Sequence, residues 1–301
     1  MLPWVEEYHP KKLKQIVGNV DIIKKLQYMV NTQLQNLIIT GFSGCGKSSS
    51  IFAIIREMNA EYIELNASDE RNISTIRSTV KTFAMKKSNN YKIIVLEEID
   101  NMPIGSQHGI ASLMEESNTC FILTCNDYDK IIENLTSRCM ILKFKTISVE
   151  DITNRLMKIC KDKNINYDNN VLTKIAQRSE GDLRKAINLL QTCYFYSPIQ
   201  NEENLNICSV NPSSEMIQMI IQSCLKQNYK KVFSYLEELY QHGYDGTDII
   251  AFLFKECANM EIDDMLKIQF LTYIGDAHMK ILQGGTKIQM YSLLIQLIEH
   301  K

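Results

Sequence analysis

The residues with the plainest chemistry lie together at Gly41-Phe42-Ser43-Gly44-Cys45-Gly46-Lys47-Ser48, with Ser49 just beyond. The spacing is G-x-x-x-x-G-K-S. Glycines let the backbone turn tightly, so that several N–H groups point at phosphate oxygens. Lys47 then reaches the outer phosphates of a nucleoside triphosphate, and the Ser48 hydroxyl faces its Mg²⁺. Such a site needs an acid at the end of a neighbouring strand. Ile93-Ile94-Val95-Leu96-Glu97-Glu98 supplies two. Glu97 suits holding Mg²⁺, directly or through water, and Glu98 suits activating or orienting an attacking water.

These residues require a scaffold that ends strands beside a helix start. Leu37-Ile38-Ile39-Thr40 reads as a buried strand before the glycine loop, and Lys47 to Met58 as the helix after it, whose N-terminus adds its positive dipole end. Strands are also predicted at 62–65, 93–96, 121–124 and 140–143, with helical spacing of Ile73, Ile76, Val80 and Phe83 between the second and third. This alternation predicts an α/β fold, a P-loop parallel sheet with helices on both faces. After Lys145 the strand signal stops. Ser148 is a candidate N-cap, with Asp151 three residues on, and helices follow at about 170–178 and after Gly181-Asp182. The expected organisation is a nucleotide-binding core over 1–147, a helical lid over 148–200 and an all-α domain over 201–301. Pro198 to Pro212 reads as the linker. Five helices are expected beyond it, at 215–226, 229–241, 247–258, 263–283 and 286–299.

The whole-chain composition is ordinary for a globular protein: 33 Lys+Arg against 35 Asp+Glu, a formal net charge of −2 and 45% hydrophobic residues in 301. That excludes a collagen-like chain, a mainly disordered one and a disulfide-dense mini-protein. It leaves nucleic-acid binding open, because a basic surface can be local. Nine cysteines without zinc spacing read as reduced core thiols. No window approaches a membrane span, and the expectation is a soluble intracellular protein of the nucleus or cytoplasm. Seven arginines are all the chain has: Arg56, Arg71, Arg77, Arg138, Arg155, Arg178 and Arg184.

Taken in order, the motifs resemble the small subunits of replication factor C, clamp loaders of the AAA+ ATPase class. The residues that carry the resemblance are Pro3-Trp4-Val5-Glu6-Glu7-Tyr8-His9-Pro10, Ile16-Val17-Gly18-Asn19, the phosphate loop, Glu64-Leu65-Asn66-Ala67-Ser68-Asp69-Glu70-Arg71, Thr124-Cys125-Asn126, Ser137-Arg138-Cys139 and Gly181-Asp182-Leu183-Arg184. The resemblance implies ATP and Mg²⁺ as ligands, with Tyr8, His9 and Val17 flanking the adenine. It implies that Asn126 hydrogen-bonds the γ-phosphate or the attacking water and that Arg184 neutralises phosphate charge from the lid. It implies Arg138 as an arginine finger acting in trans on a neighbouring subunit's ATP. The implied partners are other loader subunits, large and small, a sliding clamp and primer–template duplex DNA, with no membrane.

From Arg71 to Leu96 there is no Asp or Glu. Ser74, Arg77 and Lys81 recur at helical spacing along one shoulder of the 73–85 helix, a row suited to backbone phosphates. The resemblance sets that helix, with Arg71, against the duplex, and by analogy sets Phe83-Ala84-Met85 near the clamp, although core packing of Phe83 is the stronger reading. Three departures from the family pattern stand out: Glu97 where Asp is usual, His9 where Arg is usual, and Ala111-Ser112 where two arginines are usual. Glu97 favours a second reading, a nucleotide-binding structural subunit that hydrolyses little itself. A third reading is a related AAA+ DNA motor.

Overall fold

The computed structural model describes residues 2–66, 73–86, 88, 90–117, 119–196, 214–285 and 287–299, and the side chains of all of these but 73–75 and 196. Arg71, the Ala67–Arg71 part of the loader-like block, the side chain of Ser74 and the 198–212 linker therefore lie outside the described residues. The chain divides into two compact units, Met1–Glu202 and Glu203–Lys301.

The first unit is built on five strands: β1 (Leu37–Thr40), β2 (Glu61–Asn66), β3 (Lys92–Glu97), β4 (Cys120–Cys125) and β5 (Met140–Lys143). They form one sheet in the order β2-β3-β4-β1-β5, and every pairing is parallel. Continuous apolar runs are what a parallel sheet covered on both faces needs. Alternate residues divide between the faces: Leu37 and Ile39 pack with Ile51, Ile54, Val95 and Ile122, while Ile38 packs with Ile94, Leu96, Phe121 and Leu123.

The helices are α1 (Trp4–Glu7), α2 (Val20–Asn31), α3 (Lys47–Met58), α4 (Ile73–Met85), α5 (Ile104–Glu116), α6 (Glu133–Thr136), α7 (Val149–Asp162), α8 (Asn169–Arg178) and α9 (Leu183–Tyr196). α2 and α3 cover one face of the sheet, and α4 and α5 the other. α4 stops where expected: the Lys92 ammonium donates to the carbonyls of Phe83 and Ala84 at 2.8 and 2.9 Å, capping its orphan acceptors. Phe83 lies partly buried against the core beneath α4, and Met85 remains 79% exposed.

The lid helices α7, α8 and α9 belong to the same unit as the sheet. Ser148 caps α7 as its sequence position suggested, accepting from the Asp151 N–H at 3.1 Å. The N-terminal segment ties onto this lid. The Trp4 N–H donates to Gln191 Oε1 at 2.8 Å, Lys163 pairs with Glu7 at 2.6 Å, and the Arg155 guanidinium donates to the Tyr8 carbonyl at 2.7 Å.

The second unit contains helices at Ser214–Leu225, Tyr229–Gln241, Gly246–Asn259, Asp264–Leu282 and Lys287–Ile298. Ile217, Leu236, Leu253, Phe270 and Leu294 share its core. A polar pair lies at it, Gln218 donating to the largely buried Glu256 at 2.8 Å. No helix among the described residues is long and apolar enough to cross a membrane. Burial raises the thiols of Cys120, Cys139 and Cys224 to about 12 and that of Cys160 to about 11, which keeps them protonated and inert.

Candidate functional site

In an open α/β sheet, ligands bind outside the carboxyl ends of the strands, where the strand order reverses. The strand order places β4 between β3 and β1, so the ends of all three face one cavity of about 220 Å³. Tyr8, His9, Val17, Ser43, Gly44, Gly46, Lys47, Ser48, Ser49, Glu97, Glu98, Asn126 and Arg184 all line it. Gly41, Phe42 and Cys45 do not. Gly41 and Phe42 act through their carbonyls, which accept the Lys47 ammonium at 2.6 and 2.9 Å, while the Phe42 ring is 73% exposed. Cys45 is buried beneath the loop, and that burial raises its thiol.

The polar contacts link motifs from three strands. Lys47 also donates to Asn126 Oδ1 at 2.7 Å. Ser48 Oγ donates to Glu97 Oε1 at 2.7 Å. The longer side chain of Glu97 thus still reaches the serine at the start of α3. Glu98 sits in the left-handed region at φ 56°, unusual for a residue with a Cβ and a mark of local constraint. It is held by its own N–H to Thr124 Oγ1 at 3.2 Å and by Asn101 Nδ2 donating to its Oε2 at 3.1 Å. Burial, and then the charge of Glu97, raises the Glu64 carboxyl on β2.

His9 replaces a charge with a neutral contact. Its Nε2 lies 3.2 Å from Ser49 Oγ. Burial first, then the cations of Arg56 and Arg184, push its pKa down despite a backbone hydrogen bond at Pro10. The imidazole is therefore uncharged at neutral pH.

Four positioning contacts escaped the sequence reading. Asp100 Oδ2 accepts the N–H groups of Asn126 and Asp127 at 3.1 and 3.0 Å and so orients the β4 end. The Thr124 hydroxyl anchors Glu98. Arg155 lines the cavity and lies over the Tyr8 ring, its Cζ 5.9 Å from the centroid. Asp182 is the fourth. It is largely buried, accepts from the Lys185 N–H at 3.0 Å as a cap for α9, and abuts Gly44. The Leu183 N–H donates to the Gly44 carbonyl at 3.3 Å. Thr124 and Asp182 lay within motifs the sequence offered, but without these roles, and the signal for Arg155 was the scarcity of arginine.

Gly44 carries a testable consequence. It has φ +66°, and a Cβ there would overlap the Asp182 carboxylate. Gly44→Ala imposes backbone strain on the order of 1 kcal/mol and displaces the α9 cap, worth about another 1 kcal/mol. Nucleotide affinity should fall at least about tenfold, read by titration with a fluorescent nucleotide. Unchanged affinity would show that loop and lid do not act together.

Arg138 does not line the cavity. Its Nε donates to Glu115 at 3.0 Å and its Nη1 to the Asn134 carbonyl at 2.7 Å, with a close Nη2 pairing to Glu115. On α4, Arg77 and Lys81 both pair with Glu116, at 3.2 and 2.9 Å.

Three family models match in chain order. The model of the ATPase family associated with various cellular activities covers residues 37–147, the RCF1/5-like AAA+ ATPase lid domain 154–195, and the replication factor C C-terminal domain 212–296. The probable replication factor C subunit 2 of Dictyostelium discoideum is 36% identical over 99% of this chain and 92% of its own length. The chain belongs to the replication factor C family. Replication factor C subunit 4 of Saccharomyces cerevisiae is 34% identical, covering 98% of this chain and 95% of its own. The replication factor C small subunit of Archaeoglobus fulgidus is 33% identical over 98% and 96%. Among solved structures, the Thermotoga maritima RuvB Holliday junction branch migration motor aligns with a TM-score of 0.58 over 71% of this chain and 79% of its own. At 15% identity that likeness is one of fold. As a replication factor C family member with an AAA domain, this chain is a P-loop ATPase.

Proposed function

We propose that this replication factor C chain is an ATP-driven clamp-loader subunit whose own cavity binds ATP with Mg²⁺ and whose Arg138 serves the ATP of a neighbour. The observation that carries the reading is the joining of Lys47, Ser48, Glu97 and Asn126 by direct hydrogen bonds in one cavity, with Arg138 outside it. The hydroxyl of Ser48 and the carboxylate of Glu97 are hard oxygen donors, the set that Mg²⁺ prefers. When bound, the metal offsets phosphate charge. Lys47 exchanges its carbonyl and Asn126 contacts for phosphate oxygens. Asn126, held by Asp100, orients the γ-phosphate or the water. Glu98 takes the proton of that water. Arg184 on α9 approaches the phosphates from the lid, so nucleotide binding draws the lid onto the core. Tyr8, His9 and Val17 enclose the base.

Assembly with other loader subunits follows from a finger that its own cavity does not use. A sliding clamp and primer–template duplex are the expected further partners, at the site of DNA replication in the nucleus or cytoplasm. Exposed Met85 at the end of α4 is the candidate for the clamp. Arg77 and Lys81, one turn apart on α4, are the candidates for duplex phosphates, with Arg71 and Ser74 nearby in sequence.

The DNA assignment is tested by salt dependence. Each phosphate contact adds about 0.9 to the slope of log affinity against log salt. Arg77→Gln with Lys81→Gln should make the slope for primer–template binding shallower by about 1 to 2. An unchanged slope removes α4 from the DNA surface.

A further inference from the structure

We propose that Glu116 is a built-in competitor for DNA: its carboxylate occupies the two α4 cations in the free protein, and a duplex phosphate must displace it to bind. The proposal rests on the reading of Arg77 and Lys81 as DNA contacts.

The geometry resembles that of a phosphate. Arg77 Nη2 lies 3.2 Å from Glu116 Oε1 and Lys81 Nζ 2.9 Å from Oε2, so one anionic group bridges the two cations, one oxygen to each. The side chains are 52%, 43% and 45% exposed, which leaves the whole cluster within reach of a ligand from solvent. The hydrogen bond from Lys81, then its charge and that of Arg77, holds the Glu116 carboxyl below the usual carboxylate range, so it stays ionised at neutral pH.

Local preference alone does not explain a glutamate here. Glu116 is the last residue of α5, directly after Glu115, with no basic residue in that last turn. The negative end of the helix dipole disfavours acids there. Breaking a local rule with compensation from elsewhere is a mark of a functional position. The compensation comes from α4, through the residues assigned to DNA. Exposed pairs are weak, so Glu116 attenuates binding without blocking it. Such attenuation suits a protein that must release its DNA.

The test measures primer–template affinity of the full chain by fluorescence anisotropy at low and moderate salt. Glu116→Gln should tighten binding about three- to tenfold at low salt, with the gain shrinking as salt rises. Glu237→Gln, an equal charge change on an exposed residue of the second unit, should shift it less than about twofold. Adding Glu116→Gln to the Arg77→Gln, Lys81→Gln chain should give no gain, because the partners are gone. Equal gains from Glu116→Gln and Glu237→Gln, or a gain that persists without the two cations, overturn the proposal. If Arg77→Gln with Lys81→Gln weakens binding and Glu116→Gln does nothing, the DNA reading stands and the competitor role falls. If the cation variant binds like the unaltered chain, the DNA reading falls and takes the proposal with it.

Discussion

Arg138→Ala should lower ATP turnover by the assembled complex by about 10³-fold or more at each site the arginine serves, while the isolated chain keeps its nucleotide affinity within about twofold. The guanidinium is anchored on one side by Glu115 and on another by the Asn134 carbonyl, and it does not line its own nucleotide cavity. Removing it should therefore leave local binding intact and, on the proposed trans role, deprive a neighbour of a planar, permanently charged fork. Arg138→Lys keeps a charge and loses the fork, so it should recover only a minor part of the rate. Steady-state turnover of the assembly, set beside nucleotide titration of the single chain, reads both effects. A single chain that hydrolyses ATP at the full assembled rate would defeat the trans assignment.

Glu98→Gln should have the second large effect. Glutamine preserves size and can still receive the Asn101 amide, but it cannot take a proton. Single-turnover hydrolysis at this chain's own site should fall by about 10²- to 10⁴-fold with ATP binding nearly unchanged. The backbone supports this expectation. Glu98 is held at φ 56° by hydrogen bonds from its own N–H to Thr124 and from the Asn101 N–H to its carbonyl at 3.0 Å, and neither depends on the carboxylate. The same variant separates the two readings of Glu97. If ATPase of the whole complex is unaltered when only this subunit carries Glu98→Gln, the chain is a structural subunit that lends its finger and hydrolyses little.

The strand runs and the P-loop were legible because each is written within a few consecutive residues. A buried parallel strand needs an unbroken apolar run, and Leu37–Thr40 has the bounds the sequence suggested; the edge strand Met140–Lys143 also has its suggested bounds, although only Leu142 in it is buried. The α3 helix begins at the lysine that ends the glycine motif. α2 escaped the reading, although Ile23, Leu26 and Met29 form its buried face at helical spacing. Asp100 was beyond reach for a different reason. Its partner Asn126 lies 26 positions away on another strand, and nothing in the turn after β3 distinguishes an orienting carboxylate from a solvated one.

The basic stretch shows the division most directly. The sequence by itself established that Arg71 to Leu96 carries no acid, that the chain holds a complete phosphate loop with two acids a strand away, and that its motifs follow loader order. Only the tertiary structure decided that this stretch does not stand as an unopposed positive surface. Glu116, 39 positions from Arg77, closes over Arg77 and Lys81, and Glu61 pairs with Lys86. The same holds for Asp182 against Gly44 and Glu115 on Arg138. Periodicity and motif chemistry are short-range properties of the chain, whereas the partner of a charge is set by which helices the sheet brings side by side.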